Sequence, residues 1–191
     1  MKWLFFYIIN LVSVSASLAS TCDVLKVTSQ DPINKTQFFG NGFAYTNKLI
    51  ITNDHILAPD ATEVDLSGPI NTKALIIHRD FHTDLALLQI RSGQLKACQL
   101  NNPSGEEITI EGFEKEDSYL SKIEGLIKNA NSGKLLVPGI LKSLEIVAHG
   151  QMQMRSSQSG SAVLQSGKLI GLVTQKTKEG TALVIGAQDI S

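Results

Sequence analysis

Three short segments place residue types capable of chemistry directly beside apolar runs. Ile51-Thr52-Asn53-Asp54-His55 delivers a histidine at the end of a β-branched stretch. Asp80-Phe81-His82-Thr83-Asp84 sets an aspartate immediately before Leu85-Ala86-Leu87-Leu88. Ser157-Gln158-Ser159-Gly160-Ser161 sets a serine among small residues before Ala162-Val163-Leu164. A serine hydroxyl is a poor nucleophile at neutral pH unless an adjacent base takes its proton. A histidine can take that proton and return it to a leaving amine. A buried aspartate fixes the imidazole tautomer and stabilises the imidazolium. Small residues around the serine let the backbone turn its amides towards a developing oxyanion, where each donor is worth about 10²–10³ in rate. Taken singly, each segment has an ordinary reading: a polar strand end, a turn residue, a Ser-Gly-Ser turn. Their order and contexts join them into candidate catalytic residues His55, Asp84 and Ser159.

These side chains can meet only if strands carry them. The chain is rich in short apolar runs separated by polar turns. Strand candidates are Phe38–Tyr45, Leu49–Thr52, Ala74–Ile77 and Leu85–Ile90 in the first half. In the second half they are Ile108–Ile110, Leu120–Ile127, Lys134–Val137, Leu144–Ala148, Ala162–Leu164, Leu169–Thr174 and Ala182–Ile185. Gln165-Ser166-Gly167-Lys168 reads as a hairpin turn. Long helical periodicity is absent after the first twenty residues, so the pattern predicts an all-β sandwich or barrel. Asn101-Asn102-Pro103-Ser104-Gly105 is the strongest loop signal in mid-chain and marks the boundary between two halves. His55 and Asp84 then lie in the first half and Ser159 in the second.

The order His, Asp, Ser is that of chymotrypsin-type enzymes; subtilisins and α/β-hydrolases order the same types differently. Gly40-Asn41-Gly42-Phe43 through Ile50-Ile51-Thr52-Asn53-Asp54-His55 resembles the first-barrel signature of trypsin-like serine proteases. It is closer to the bacterial branch that holds glutamyl endopeptidases and periplasmic heat-shock proteases. Asp84-Leu85-Ala86-Leu87-Leu88 resembles that branch's aspartate motif, and Ser159-Gly160-Ser161-Ala162-Val163 its nucleophile motif. Leu169-Ile170-Gly171-Leu172-Val173-Thr174 resembles the strand that lines the substrate pocket. The resemblance implies two antiparallel six-stranded β-barrels, about 21–102 and 103–191, with the site in the cleft between them. It also implies endopeptidase activity through an acyl-enzyme, with no cofactor and no metal. By the same analogy the backbone amides of Ser157 and Ser159 form the oxyanion hole, and Gln153, Met154, Arg155, Thr174, Gln175 and Lys176 line the substrate pocket. The pocket set holds no acidic residue, which disfavours an Arg or Lys preference; Arg155 or Lys176 would suit an acidic side chain. Two departures stand out. Ser157 occupies a place usually held by glycine, and Gln158 a place where a trypsin-style zymogen switch needs aspartate. A catalytically silent relative serving as a binding or scaffold module is the alternative that Ser157 keeps open.

Composition narrows the partners. Hydrophobic residues make up 42% of the 191, enough for a sizeable core. A net charge of −1 with no basic run interleaved with aromatics argues against nucleic acid; a protein or peptide substrate is what the resemblance implies. Residues 1–20 carry one early charge, Lys2, then an apolar stretch and a small-residue end, the pattern of a signal peptide cleaved after Ala19 or Ser20. The apolar stretch is short for a bilayer span, which needs about 20 residues. The expectation is a secreted or periplasmic protein without stable membrane insertion. Cys22 and Cys98 are the only cysteines. In an oxidising compartment they could pair, or they could remain two separate thiols. His78 and His82 lack the further ligands a zinc site needs.

Overall fold

The computed structural model describes residues 21–115, 119–130, 143–148 and 156–190. Twelve strands are present among them. The first six are β1 (Val24–Gln30), β2 (Gln37–Ala44), β3 (Leu49–Asn53), β4 (Glu63–Ser67), β5 (Thr72–Asp80) and β6 (Leu85–Ile90). The second six are β7 (Glu107–Phe113), β8 (Leu120–Asn129), β9 (Ser143–Ala148), β10 (Ala162–Gln165), β11 (Lys168–Lys176) and β12 (Ala182–Gly186). Each set closes on itself. The first barrel runs β1-β2-β3-β6-β5-β4 and the second β7-β8-β9-β12-β11-β10, so both follow one strand order. Neighbouring strands are antiparallel throughout, and closure leaves no sheet edge unpaired. The all-β expectation of two six-stranded barrels is what the chain forms.

β1 and β4 are the strands that the apolar runs did not announce. Glu63-Val64-Asp65-Leu66-Ser67 alternates with period two, Val64 and Leu66 buried and Asp65 exposed. That is the signature of a half-buried strand, only five residues long. Val24–Gln30 buries Leu25 and Val27 inside the barrel and pairs with β2 on one side and β4 on the other. The Lys134–Val137 strand candidate lies outside the described residues.

Three apolar clusters hold the molecule. Leu25, Val27, Ile50, Leu66, Leu88 and Ile90 fill the first barrel. Ile110, Ile146, Val163, Ile170, Val173 and Val184 fill the second. The third cluster draws on both barrels: Val24, Phe43 and Ile51 meet Ala162, Leu164, Leu169 and Leu172. Burying a side chain of this size stabilises by roughly 1.5–3 kcal/mol each. This shared layer therefore fixes one barrel against the other. β11 serves two of the clusters because it is bulged twice. Ile170 is an extra residue against β10, and Thr174 an extra residue against β12. A bulge breaks strict alternation. Leu169 and Leu172 can then both face the other barrel while Ile170 and Val173 both face their own.

Candidate active site

β3 ends at Asn53, and a 3-10 turn over Asp54–Ile56 carries His55 out of the sheet. Ile56 anchors the turn in the first barrel's core. Arg79 of β5 braces it from outside. Its guanidinium pairs with Asp54 (Nε to Oδ1, 2.6 Å) and donates to the carbonyls of Ala58 at 2.9 Å and Pro59 at 3.0 Å. The Ser29 hydroxyl accepts from the amide of Ala58 at 2.9 Å. The loop following the histidine is thus held at both faces.

Asp84 arrives from the opposite direction, at the mouth of β6. Asp80 starts the turn that delivers it: its Oδ1 accepts from the amides of His82 (2.9 Å) and Thr83 (3.4 Å). Those bonds, the Thr83 hydroxyl first among the causes, hold the Asp80 carboxyl below its ordinary value. Asp84 itself has φ of 57°, a left-handed conformation that aspartate tolerates better than most residues. Its carboxylate is 3% exposed and surrounded by donors. Oδ1 accepts from the backbone amide of His55 at 3.0 Å. Oδ2 accepts from Asn53 Nδ2 at 3.1 Å and from the Thr174 hydroxyl. His55 Nδ1 lies 2.9 Å from Oδ1 and 2.8 Å from Oδ2. A ring nitrogen facing two carboxylate oxygens must carry the proton. Nε2 is then left with its lone pair, and it faces the Ser159 hydroxyl at 3.0 Å.

Ser159 follows a 3-10 turn over Ser156–Gln158. Bonds in such a turn run i→i+3, which directs the amide of Ser159 back towards the carbonyl of Ser156. The next residue, Gly160, has φ of 83°. A Cβ built on it would stand 1.8 Å from the carbonyl oxygen of Asn41, so only glycine fits there. The amide of Gly160 donates to Val173 of β11, and the amide of Asn41 donates to the carbonyl of Ser159, both at 2.8 Å. The nucleophile loop is in this way pinned to both barrels. Ser157 turns its hydroxyl onto Glu114 Oε2 at 2.9 Å.

The three segments singled out by their residue types therefore come together at hydrogen-bond distance, His55 half-exposed between two buried partners. Thr174 is buried and bonds Asp84, Gln175 is half-buried, and Lys176 is exposed where β11 ends. Gln153, Met154 and Arg155 lie outside the described residues, as do residues 1–20. Cys22 and Cys98 are joined by a disulfide with Cα atoms 4.6 Å apart, tying the segment before β1 to the loop after β6. His82 stacks at a tilt on Phe81, ring centroids 3.9 Å apart, and among the described residues no cluster of His, Cys, Asp and Glu could hold a metal. Asn41, Asn53, Arg79 and Glu114 were not reached from sequence. Asn41 left a trace there as one polar residue between two glycines inside a strand, and Asn53 as part of the stretch before His55 that resembles the family signature.

A family model described as the trypsin-like peptidase domain matches residues 40–172, which holds all three of these side chains. The chain belongs to the trypsin-like peptidases. This makes it a serine protease by family. Solved structures agree on the fold. The Rv3671c protease of M. tuberculosis in its active form superposes with a TM-score of 0.75 at 17% identity, covering 90% of this chain and 78% of that one. The HtrA-type protease AlgW, solved with a decapeptide, gives 0.72 at 18% identity, covering 88% of this chain and 62% of that one. The serine endoprotease from Yersinia pestis gives 0.69 at 20% identity, covering 88% of this chain and 60% of that one. This trypsin-like chain thus spans less than two thirds of the latter two. No curated protein matches it by sequence.

Proposed function

We propose that this trypsin-like chain hydrolyses peptide bonds with Ser159 as nucleophile, His55 as general base and acid, and Asp84 as the group that orients and stabilises the imidazole. The observation that carries the reading is the unbroken line of contacts from Asp84 Oδ2 through the ring of His55 to Ser159 Oγ, 2.8 Å and 3.0 Å long. In the first half-reaction Ser159 Oγ bonds to the scissile carbonyl carbon while its proton passes to His55 Nε2. The imidazolium formed faces the buried Asp84 carboxylate. It then gives the proton to the leaving amine as the C–N bond breaks, leaving an ester on Ser159. Water, deprotonated by the same Nε2, releases the acid and restores the serine.

The oxyanion falls to the backbone amides of Ser159 and Ser157. Each donor aimed at the charge that develops there is worth about 10²–10³ in rate. Gln175 and Lys176, at the end of β11 beyond Thr174, and residues 153–155 before the nucleophile turn are where a substrate side chain would be read. The leader-like pattern of residues 1–20 and the paired Cys22 and Cys98 support export to an oxidising compartment. No helix among the described residues is long and apolar enough to cross a membrane.

The test is covalent labelling of the purified chain with a fluorophosphonate. The expected result is one adduct on Ser159, lost in Ser159→Ala. A folded protein that takes no label, or takes it elsewhere, would refute the reading and leave a binding module in its place.

A further inference from the structure

Asn41 sits in the middle of β2 with no solvent exposure, between Gly40 and Gly42. A buried carboxamide must find partners for one acceptor and two donor hydrogens. Those of Asn41 lie on the other barrel. Its Oδ1 accepts from the amide of Phe113 at 2.6 Å. Its Nδ2 faces three acceptors: the carbonyl of Phe113 at 3.2 Å, the carbonyl of Ser157 at 3.1 Å and the hydroxyl of Ser161 at 3.2 Å. Two hydrogens among three acceptors means that one is shared.

The backbone of the same residue extends the pattern. Its amide holds the carbonyl of Ser159 at 2.8 Å. Its carbonyl accepts from the Thr52 hydroxyl at 2.5 Å, on the strand that runs out to His55. One residue therefore grips the peptide planes before and after the Ser159 amide, and is itself tied to the histidine's strand. The glycines make room for this. A Cβ on Gly40 would stand 3.0 Å from the carbonyl oxygen of Ser159 and closer still to Ile56.

We propose that Asn41 is a positioning residue of the active site, a brace that sets the nucleophile turn at the correct distance and angle from His55. The proposal rests on the protease reading above and deepens it. The shared apolar layer cannot do this work, because apolar contact is non-directional. It fixes how far apart the barrels sit, but not the rotation of individual peptides in a turn of small residues. Hydrogen bonds to the carbonyls on either side of the Ser159 amide do fix it. A misplacement of about 1 Å at a reacting centre is worth roughly 100-fold in rate. The loss should fall on kcat, since the brace touches the turn that meets the transition state and none of the proposed pocket residues.

Two variants separate positioning from simple stability. Asn41→Asp keeps the shape and the acceptor for Phe113 but cannot donate to Ser157 or Ser161 when ionised. Asn41→Ala removes the whole group. Wild type and variants are titrated with a fluorophosphonate to count working sites. Then kcat and KM per site are measured on a peptide substrate selected with the wild type, together with Ki for a peptide boronate that mimics the tetrahedral adduct. The expected result is a kcat per site lower by about 100-fold, KM within about threefold, and a boronate Ki that rises in step with the fall in kcat. Unchanged kcat per site with only fewer sites assigns Asn41 to the scaffold and overturns the proposal. So does a rise in KM alone, or failure of both variants to fold. If one variant fails to fold, the other decides. A wild type that takes no label fails the protease reading itself and this inference with it; a labelled wild type with indifferent variants fails this inference only.

Discussion

Replacing Asp84 by asparagine keeps the size of the side chain and removes its charge. Its expected effect follows from contacts already described. The Asp84 carboxylate meets donors on every side. Oδ1 faces the His55 amide and Oδ2 faces Asn53 Nδ2 and the Thr174 hydroxyl, with His55 Nδ1 before both. An asparagine NH₂ placed at either oxygen's position points a donor at a donor. The Thr174 hydroxyl can rotate to accept, and the Asn53 carboxamide can flip to present its unpartnered oxygen; the His55 amide cannot accept. The ring can also answer by moving its proton to Nε2, which leaves Ser159 facing a donor in place of a base. In addition, the imidazolium loses its counter-charge at 2.8 Å. With an effective dielectric of about 20 that attraction amounts to about 6 kcal/mol. At about 1.36 kcal/mol per decade it corresponds to some four decades in rate. His55 is 45% exposed, and water at its open edge screens part of this. The expectation for Asp84→Asn is therefore a kcat per titrated site lower by about 10³–10⁴, with KM little changed. Steady-state hydrolysis of an activated peptide ester, normalised by fluorophosphonate titration, measures it. A fall of less than tenfold in a variant with a native melting curve would show that the aspartate does not serve the histidine, and the mechanism above would have to be abandoned.

Gly160→Ala should cost both fold and function. The new methyl lands 1.8 Å from the Asn41 carbonyl oxygen at a φ of 83°, so the expected loss is about 3 kcal/mol or more in urea unfolding together with loss of labelling at Ser159; a stable, fully labelled variant contradicts the packing described. The Cys22–Cys98 bridge closes a separation of 76 residues, worth at most about 4.5 kcal/mol from chain entropy, so the double Cys→Ala variant should melt lower in calorimetry, by up to about 9–18 °C. An unchanged melting temperature would mean that the bridge constrains nothing the fold does not already hold. Glu145 is held below its ordinary value of 4.5, first by its hydrogen bond with Lys128 and then by that with Thr181. A lowered folded value means that its contribution is fully present above pH 4.5 and is lost as the pH falls through the lower folded value. Glu145→Gln should therefore lower stability at pH 7 slightly and flatten its decline in acid, read from urea midpoints at a series of pH values; parallel curves for the two proteins would dismiss this role.

The fold was largely legible because most strands are continuous apolar runs that end in polar turns. β6, β10 and β11 are of that kind, and each candidate catalytic residue stands at the border of such a run. β4 escaped because it rests on only two buried side chains, Val64 and Leu66, between charged neighbours. Thr174 was read as a residue of the pocket wall from the resemblance of its strand to the family's pocket-lining strand. The bulge at that position turns its hydroxyl onto Asp84, and nothing in the residue types of β11 announces a bulge there.

The order of residue types along the chain by itself determined most of the barrels' strands, though not β1 and β4, together with the positions of histidine, aspartate and serine at strand ends and the chemistry these could perform together. These are local properties: alternation, turn-forming residues and the reactivity of side chains are settled within a few neighbours. Which groups touch was decided only by closure of two barrels against a shared apolar layer. That closure brought His55 to Ser159 across 104 residues of chain, joined Cys22 to Cys98, and gave Asn41 partners on the opposite barrel. Contacts of such long separation depend on the summed geometry of many strands and bulges, and a pattern read a few residues at a time does not contain that sum.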